Sequence, residues 1–188
     1  MIDFRKVHYV ISCPDYTFRP KDNKPEIVFI GRSNVGKSTL INGLVSQKIA
    51  YSSKKAGKTK LLNYFLVDDS FYLVDAPGFG YTSYGSKEDD SFSNMMETYF
   101  HNPQLKGGLV LTDVRRGIGK DEMDMLKYLR KLHIARTLVY TKCDNAKQSE
   151  ISKAKKEVES QLDLNVFYSY LNGDYKELRS LISKVLDD

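Results

Sequence analysis

The sequence predicts an α/β domain in which a mostly parallel sheet is covered by helices on both faces. Apolar, β-branched runs alternate with segments of helical period along most of the 188 residues. This alternation is typical of parallel sheets, since each parallel connection must cross a face of the sheet. Only Asp68-Asp69-Ser70 separates the runs Leu61–Val67 and Phe71–Val74, which predicts a hairpin and one antiparallel edge strand.

Each element is expected from its own apolar pattern. A strand is predicted where apolar and β-branched residues run together between turn residues, and a helix where they recur every three or four positions. The predicted strands are Val7–Ile11, Ile27–Ile30, Leu61–Val67, Phe71–Val74, Leu109–Thr112, Ala135–Thr141 and Asn165–Ser169, and the predicted helices begin or lie at Leu40–Val45, Lys120–His133, Ile151–Leu162 and Tyr175–Leu186.

The length suits a single domain with its own core, in which residues 1–25 form an N-terminal extension packed on the remainder. Hydrophobic residues make up 41% of the chain and charged residues 28%, as in soluble globular proteins. No apolar stretch reaches membrane-spanning length, and the start lacks a signal-peptide core, so we expect a cytoplasmic protein without a membrane partner. The net charge of +5 is compatible with an anionic partner such as RNA but does not require one. We expect a monomer.

The segment Gly31-Arg32-Ser33-Asn34-Val35-Gly36-Lys37-Ser38-Thr39 matches the phosphate-binding pattern G-x-x-x-x-G-K-[ST]. It lies between a buried strand and a helix, which is the context such a loop needs. Its backbone N–H groups and the helix N-terminus would surround an anion, Lys37 would reach the terminal phosphates, and Ser38 would ligate Mg²⁺. The sequence therefore predicts nucleoside triphosphate binding; the alternative is a chance glycine-rich turn.

Two further segments are expected to face the γ-phosphate. Asp75-Ala76-Pro77-Gly78 ends a strand, so Asp75 could hold Mg²⁺ through a water and the Gly78 N–H could contact the phosphate. Thr59, within the basic segment Ala56–Lys60, could complete the Mg²⁺ coordination when triphosphate is bound. Without the phosphate loop, each would be an ordinary turn.

The base would be selected by Thr141-Lys142-Cys143-Asp144. A buried Asp144 carboxylate can accept hydrogen bonds from guanine N1–H and its 2-amino group, whereas adenine would leave it unpaired. The Lys142 stem can lie along the ring. Tyr168-Ser169-Tyr170 could contact the guanine carbonyl or could simply be a strand end.

With these motifs in order, the chain resembles the translation-factor-class GTPases and most closely the EngB (YihA/YsxC) family of ribosome-biogenesis GTPases, within the TrmE-Era-EngA-EngB-Septin-like group. The phosphate loop, Gly57-Lys58-Thr59, Asp75–Tyr81, Asp113–Arg116 and Thr141–Asp144 carry the resemblance. It implies a P-loop NTPase fold of the Ras-like G-domain type, GTP and Mg²⁺ as ligands, the large ribosomal subunit or its assembly intermediates as partner, and a link to septation in the cell cycle.

The expected nucleotide-binding residues are therefore Gly31, Arg32, Ser33, Asn34, Val35, Gly36, Lys37, Ser38, Thr39, Gly57, Lys58, Thr59, Lys60, Leu61, Asp75, Ala76, Pro77, Gly78, Thr141, Lys142, Cys143, Asp144, Tyr168, Ser169 and Tyr170. Ser38, Thr59 and Asp75 would hold Mg²⁺, and Lys37, Thr59 and Gly78 would act in catalysis. The chain departs from the usual family pattern at Ala56, Cys143 and Tyr170.

Phe79 stands where many GTPases have a glutamine that places the attacking water, so we expect slow intrinsic hydrolysis stimulated by a partner or an ion. The resemblance implies that Asn34 helps to bind K⁺; a purely local turn role for Asn34 is the alternative. The segment Phe79–Ser93 is predicted to be a second mobile switch. Among basic residues, Arg115, Arg116 and the cluster Lys54, Lys55, Lys58 and Lys60 are candidates for RNA phosphate contacts.

Two other functions remain open at this point. A P-loop kinase of a small molecule would share the phosphate loop, although Thr141–Asp144 and the lack of an Arg-rich lid insertion argue against it. A GTP-dependent RNA-binding module that never hydrolyses GTP is the second alternative.

Overall fold

A computed structural model describes residues 1–52, 61–79, 87–161 and 163–188. Within these ranges the chain forms seven strands, five α-helices and two short 3-10 turns. The strands are β1 (Val7–Cys13), β2 (Glu26–Gly31), β3 (Leu62–Val67), β4 (Phe71–Asp75), β5 (Leu105–Asp113), β6 (Ala135–Thr141) and β7 (Asn165–Tyr168), and the helices are α1 (Lys37–Val45), α2 (Lys87–Phe100), α3 (Lys120–Lys131), α4 (Gln148–Val158) and α5 (Lys176–Asp187).

The strands form one sheet in the order β1-β3-β4-β2-β5-β6-β7. Strand β2 pairs in parallel with β4 and β5, and the parallel pairing continues through β6 to β7. Strand β3 pairs antiparallel with both of its neighbours and is the strand that runs against the others. The predicted mostly parallel sheet with one antiparallel strand is therefore confirmed.

The hairpin between β3 and β4 turns through Asp68 and Asp69, whose φ angles of 47° and 49° are left-handed. Aspartate tolerates this conformation better than most residues, and two such residues give a turn that matches the strand twist. The N-terminal strand β1 then pairs outside β3, from Val7 opposite Val67 to Cys13 opposite Leu62. The antiparallel strand was predicted at the edge, but it lies second from the edge because β1 pairs outside it and is itself the edge strand.

Helices cover both faces of the sheet because alternate strand residues point to opposite sides. In β2, Val28 and Ile30 join a core that includes residues of α2, α3 and α4, whereas Ile27 and Phe29 join a second core under α1 and α5. Both cores are closed by buried leucine, isoleucine and aromatic side chains. This three-layer arrangement brings the carboxyl ends of β2, β4, β5 and β6 to one edge, where ligands bind in such sheets.

Strand β6 has its predicted bounds, the other predicted elements have shifted ends, and helix α2 was not predicted; the reasons are visible at α2, α4 and β5. Helix α2 begins at Lys87, inside the segment Phe79–Ser93 that we assigned to a mobile switch. The sequence of its first turn is charged, from Lys87 to Asp90, so the apolar period that predicts a helix is weak there. Helix α4 begins at Gln148 rather than Ile151, since Glu150 accepts the Lys147 N–H at 2.7 Å and so caps the helix.

Strand β5 begins at Leu105 rather than Leu109, because two glycines interrupt its apolar run. Both glycines lie under closely packed helices: a Cβ on Gly107 would lie 3.0 Å from Val185 of α5, and one on Gly108 would lie 2.9 Å from Leu129 of α3. They let a helix approach the strand from each side of the sheet. Among the described helices, none is both long and apolar enough to span a membrane.

Candidate nucleotide-binding site

The phosphate loop leaves β2 at Gly31 and enters α1 at Lys37. Two residues take left-handed backbone angles, Asn34 with φ 64° and Gly36 with φ 104°. Gly31 is crowded, since a Cβ there would lie 2.8 Å from Val35 Cγ1. These conformations wrap the loop around the N-terminus of α1, where Ser38 and Thr39 occupy the first turn. The loop thus leads into the N-terminus of a helix, where an anion would bind if the predicted role holds.

Lys37 and Asp75 face each other across the site. Lys37 Nζ lies 2.9 Å from Asp75 Oδ1, and the ammonium also donates to the carbonyl of Ala76. The Asp75 side chain is only 10% exposed. Among the described residues, its Oδ1 has no hydrogen bond of good geometry, so the Lys37 charge is its close partner. Asp75 thus presents a shielded carboxylate beside the phosphate loop.

The segment after β4 continues the parallel pairing of β4 with β2. The Ala76 N–H donates to Phe29 O at 3.2 Å, the Phe79 N–H donates to Gly31 O at 3.2 Å, and the Ser33 N–H donates to Phe79 O at 3.3 Å. Gly78 lies directly against the phosphate loop, since a Cβ there would be 2.9 Å from Ser33 N. Residues 76–79 and the phosphate loop therefore form one connected unit.

The Arg32 side chain is directed toward helix α3 and not toward the expected position of the phosphates. Its guanidinium pairs with Asp121 and Glu122 at the start of α3, at 2.6 and 3.2 Å. Of the nine loop residues predicted to bind nucleotide, Arg32 could contribute only its backbone in this conformation. Its partners could not be predicted from the sequence, because they lie 89 and 90 positions away along the chain.

Thr141 and Lys142 join the base motif to the phosphate loop. The Thr141 hydroxyl lies 2.6 Å from Val35 O and 3.3 Å from Thr112 O, in hydrogen-bonding geometry with both acceptors. Lys142 has a left-handed φ of 58°, and its ammonium donates to Asn34 O at 2.8 Å. The Lys142 stem therefore extends across the site toward the loop, as the prediction of a ring-covering lysine requires.

Cys143 and Asp144 follow in a short 3-10 turn. Cys143 is buried, its N–H donates to Ser169 O at 3.1 Å, and burial raises the pKa of its thiol to about 11. We expected Asp144 to be buried, but its side chain is exposed. One of its carboxylate oxygens accepts the Leu171 N–H at 3.1 Å. A base must therefore supply the burial of this carboxylate, which the strand end alone does not provide.

The last predicted contact segment divides between core and surface. The Tyr168 ring stacks on Tyr140 with centroids 5.3 Å apart, and its partly buried side chain packs against the core. Its contact with the base stays a prediction. Ser169 is buried and its N–H donates to Tyr140 O at 2.8 Å. Tyr170 is 42% exposed and precedes Leu171, whose N–H donates to Asp144.

The remaining predicted residues are less informative. Gly57, Lys58, Thr59 and Lys60, with Ala56, Lys54 and Lys55, lie outside the described residues, as do Gly80 and Tyr81; Leu61 directly precedes β3. Arg115 pairs with Asp113 at 2.6 Å, and this hydrogen-bonded guanidinium lowers the pKa of the Asp113 carboxyl. Arg115 is thus engaged within the chain, whereas Arg116 is exposed.

Comparison with known proteins agrees with this geometry. The profile of the family described as 50S ribosome-binding GTPase matches residues 26–142. A probable GTP-binding protein EngB of Lactobacillus helveticus is 41% identical over 163 residues, covering 86% of this chain and 83% of its own. The Aquifex aeolicus protein of the same description is 38% identical over 170 residues, covering 89% and 93%.

Solved structures share the fold. The crystal structure of a probable GTP-binding protein engB has a TM-score of 0.61 at 24% identity and covers 86% of this chain and 98% of its own. Aquifex aeolicus Era bound to GDP.AlF4- has a TM-score of 0.63 at 19% identity, covering 86% and 56%. The family profile and the relatives, taken with the connected phosphate loop and base motif, establish that this chain belongs to the EngB family of GTP-binding proteins and is a GTPase.

Proposed function

We propose that the chain is a molecular switch that binds and slowly hydrolyses GTP and assists the assembly of the large ribosomal subunit. The observation that carries this proposal is the connection of three motifs in one site. Thr141 and Lys142 bond to the phosphate loop, and residues 76–79 pair with the same loop from the other side. Base, phosphates and the segment that senses the γ-phosphate would thus meet at one edge of the sheet.

The roles follow from this arrangement. The loop N–H groups and the Lys37 ammonium would hold the β- and γ-phosphates, and the Gly78 N–H would face the γ-phosphate. Asp144 would accept the two guanine N–H groups while Lys142 covers the ring. Lys37 is paired with Asp75, so a bound triphosphate would compete with this carboxylate for the ammonium.

A Mg²⁺ ion fits the residues present. The shielded Asp75 Oδ1, which accepts no well-formed hydrogen bond from the described residues, is the kind of hard oxygen that Mg²⁺ binds directly or through water. Ser38 and Asp75 would hold the ion together with Thr59, which lies outside the described residues. When bound, the ion would neutralise charge developing on the phosphates.

K⁺ is proposed as a further cofactor near Asn34. The Asn34 side chain is exposed, and no hydrogen bond fixes it to another described residue, while its carbonyl already accepts Lys142. The amide oxygen is therefore free to bind a cation. We expect faster hydrolysis in K⁺ than in Na⁺, and loss of this difference in Asn34→Gly, which preserves the left-handed backbone. Asn172→Gly, at an exposed residue with φ 58°, is the matched control.

The activating partner is the ribosome in this proposal. The family description names 50S binding, the net charge is +5, and Phe79 cannot orient a water, so an outside group would complete the site. Membership of a GTPase family disfavours a small-molecule kinase, for which no described residue offers evidence. Transfer of phosphate to an added acceptor rather than to water would favour that alternative.

Sedimentation with large ribosomal subunits tests the switch. The chain should sediment with subunits in a non-hydrolysable GTP analogue more than in GDP, and subunits should accelerate single-turnover GTP hydrolysis. An Asp144→Asn variant should lose the difference between the nucleotides because it would not hold guanine. Equal sedimentation of the unmodified chain in both nucleotides, with no acceleration, would contradict a ribosome-coupled switch.

A further inference from the structure

Arg32 connects three segments that meet beside the phosphate site. Its backbone belongs to the phosphate loop and forms an isolated parallel bridge with Phe79. Its Nη2 lies 2.6 Å from Asp121 Oδ2, and its Nε lies 3.2 Å from Glu122 Oε1 at the N-terminus of α3. Its guanidinium carbon lies 5.7 Å from the centroid of the Phe79 ring.

Glu122, one of the two acidic partners, is buried, and both of its carboxylate oxygens have partners. The Glu122 side chain is 1% exposed, and its second oxygen accepts the Gly119 N–H at 2.9 Å, which caps α3. A carboxylate buried to this degree needs a charged partner, since an unpaired buried charge is costly. Arg32 supplies that charge in a fixed, planar geometry that a lysine could not reproduce. The guanidinium is therefore held at one position relative to α3.

The guanidinium also lies beside the ring of Phe79. The partly buried Phe79 ring packs on the core that includes α3, and it is flanked by the guanidinium. The Phe79 N–H and C=O both pair with the phosphate loop, on Gly31 and Ser33. Because Phe79 is held by its side chain and by both of its backbone groups, the preceding residue, Gly78, has little conformational freedom.

We propose that Arg32 is a positioning residue for GTP hydrolysis: anchored on Glu122 and Asp121, it holds Phe79 against the core and thereby fixes Gly78 beside the phosphate loop. The Arg32 side chain acts through Phe79 and would not itself contact a phosphate. This inference rests on the proposed role of the Gly78 N–H at the γ-phosphate. It predicts that loss of the guanidinium affects triphosphate much more than diphosphate, because only the γ-phosphate faces Gly78.

Two variants separate positioning from folding. Arg32→Met keeps the aliphatic stem but leaves the Glu122 charge buried and unpaired, so it is expected to destabilise the fold. Arg32→Met/Glu122→Gln removes that charge as well, and the glutamine oxygen can still accept the Gly119 N–H. Arg130→Met is the matched control, because Arg130 also pairs with a carboxylate, Asp163, but both side chains are 67% exposed.

Binding of GDP and of a non-hydrolysable GTP analogue is measured for each protein, with single-turnover hydrolysis at saturating GTP. In the double variant we expect GDP affinity within about twofold of the parent, analogue affinity lower by about tenfold, and a comparable fall in the hydrolysis rate, as for loss of one charged anchor. Arg130→Met should match the parent throughout.

The proposal is overturned if the double variant binds the analogue and hydrolyses GTP as the parent does. It is also overturned if GDP and analogue affinities fall equally, since Arg32 would then act on the loop as a whole. A parent chain that binds GTP but hydrolyses none would contradict the proposed function, and the ratio of analogue to GDP affinity would still test separately whether Arg32 positions Gly78.

Discussion

The Thr141 hydroxyl lies 2.6 Å from the carbonyl oxygen of Val35, so the base motif and the phosphate loop are joined by a buried hydrogen bond. Thr141→Val keeps the shape of the side chain but removes this donor. We expect GTP and GDP affinities to fall by similar factors, and the free energy of unfolding to fall by about 1–3 kcal/mol, because the Val35 carbonyl stays buried. Nucleotide titration and urea unfolding measure the two effects.

A matched control for this change is Thr98→Val. Thr98 also donates through its hydroxyl to a backbone carbonyl, that of Asn94, but on the exposed side of α2. It should change stability by less than about 0.5 kcal/mol, as surface substitutions usually do. Nucleotide affinity unchanged in Thr141→Val would mean that the bond to Val35 does not position the two motifs.

Asp144→Asn should change the base that the protein prefers from guanine to xanthine. The amide would offer a donor where guanine also has a donor, so GDP affinity should fall by about a hundredfold or more, as when a buried polar group is left unpaired. Xanthosine diphosphate, which carries a carbonyl at C2, should bind the variant better than GDP does. The exposed Asp174, which accepts the Lys176 N–H, provides the control Asp174→Asn. Retained preference for GDP would refute the assignment of Asp144.

Gly78→Ala should impair the docked position of residues 76–79. The added Cβ would lie 2.9 Å from Ser33 N and 3.0 Å from Ser33 Cα, and backbone atoms cannot yield as a flexible side chain can. We therefore expect the hydrolysis rate to fall by about tenfold or more with GDP affinity little changed. Gly173→Ala, where the nearest atom of Tyr170 would be 3.0 Å away, is a comparable change outside the site. Normal hydrolysis by Gly78→Ala would exclude close docking in the reactive state.

Glu26 is a buried carboxyl at the opposite end of β2. Its Oε2 accepts the Tyr99 hydroxyl at 2.8 Å and the Asn102 amide at 2.9 Å, and Tyr64 faces it from β3. Burial raises the pKa of Glu26 from 4.5 to about 6, against the opposing effects of these hydrogen bonds and of the Arg19 charge. The folded chain therefore binds more protons than the unfolded chain between these two values.

Because the folded-state pKa is raised, protonated Glu26 favours the folded state below pH 4.5, and this contribution is lost as pH rises through about 6. The difference amounts to about 2 kcal/mol. Glu26→Gln keeps an oxygen acceptor but has no carboxyl group to titrate, so it should not lose this stability as the pH rises. Urea unfolding at several pH values should show the variant gaining stability relative to the parent as pH rises, whereas the exposed Glu159→Gln should run parallel to the parent. If the plots of stability against pH were parallel for Glu26→Gln and the parent, the raised pKa of Glu26 would be contradicted.

Most of the fold was predictable because apolar periodicity reports directly on burial. Strand β6 has the predicted bounds, and the other predicted elements are present with shifted ends. Helix α2 was not predicted, since its polar first turns carry no stripe and its burial comes at Met96, Tyr99 and Phe100. The β5 start was missed because Gly107 and Gly108 contribute no hydrophobic signal, although neighbouring helices pack closely against them.

The candidate site divides in the same way. The phosphate loop and the two other motifs could be located from residue types alone, because an anion nest at a helix N-terminus and a paired carboxylate each need a short, local pattern. The partners of Arg32 and Thr141 could not, because these contacts join residues 90 and 106 positions apart. Only folding brings β2, β6 and α3 to one edge of the sheet, and whether Asp144 is exposed or Tyr168 is packed inside depends on what surrounds each side chain there.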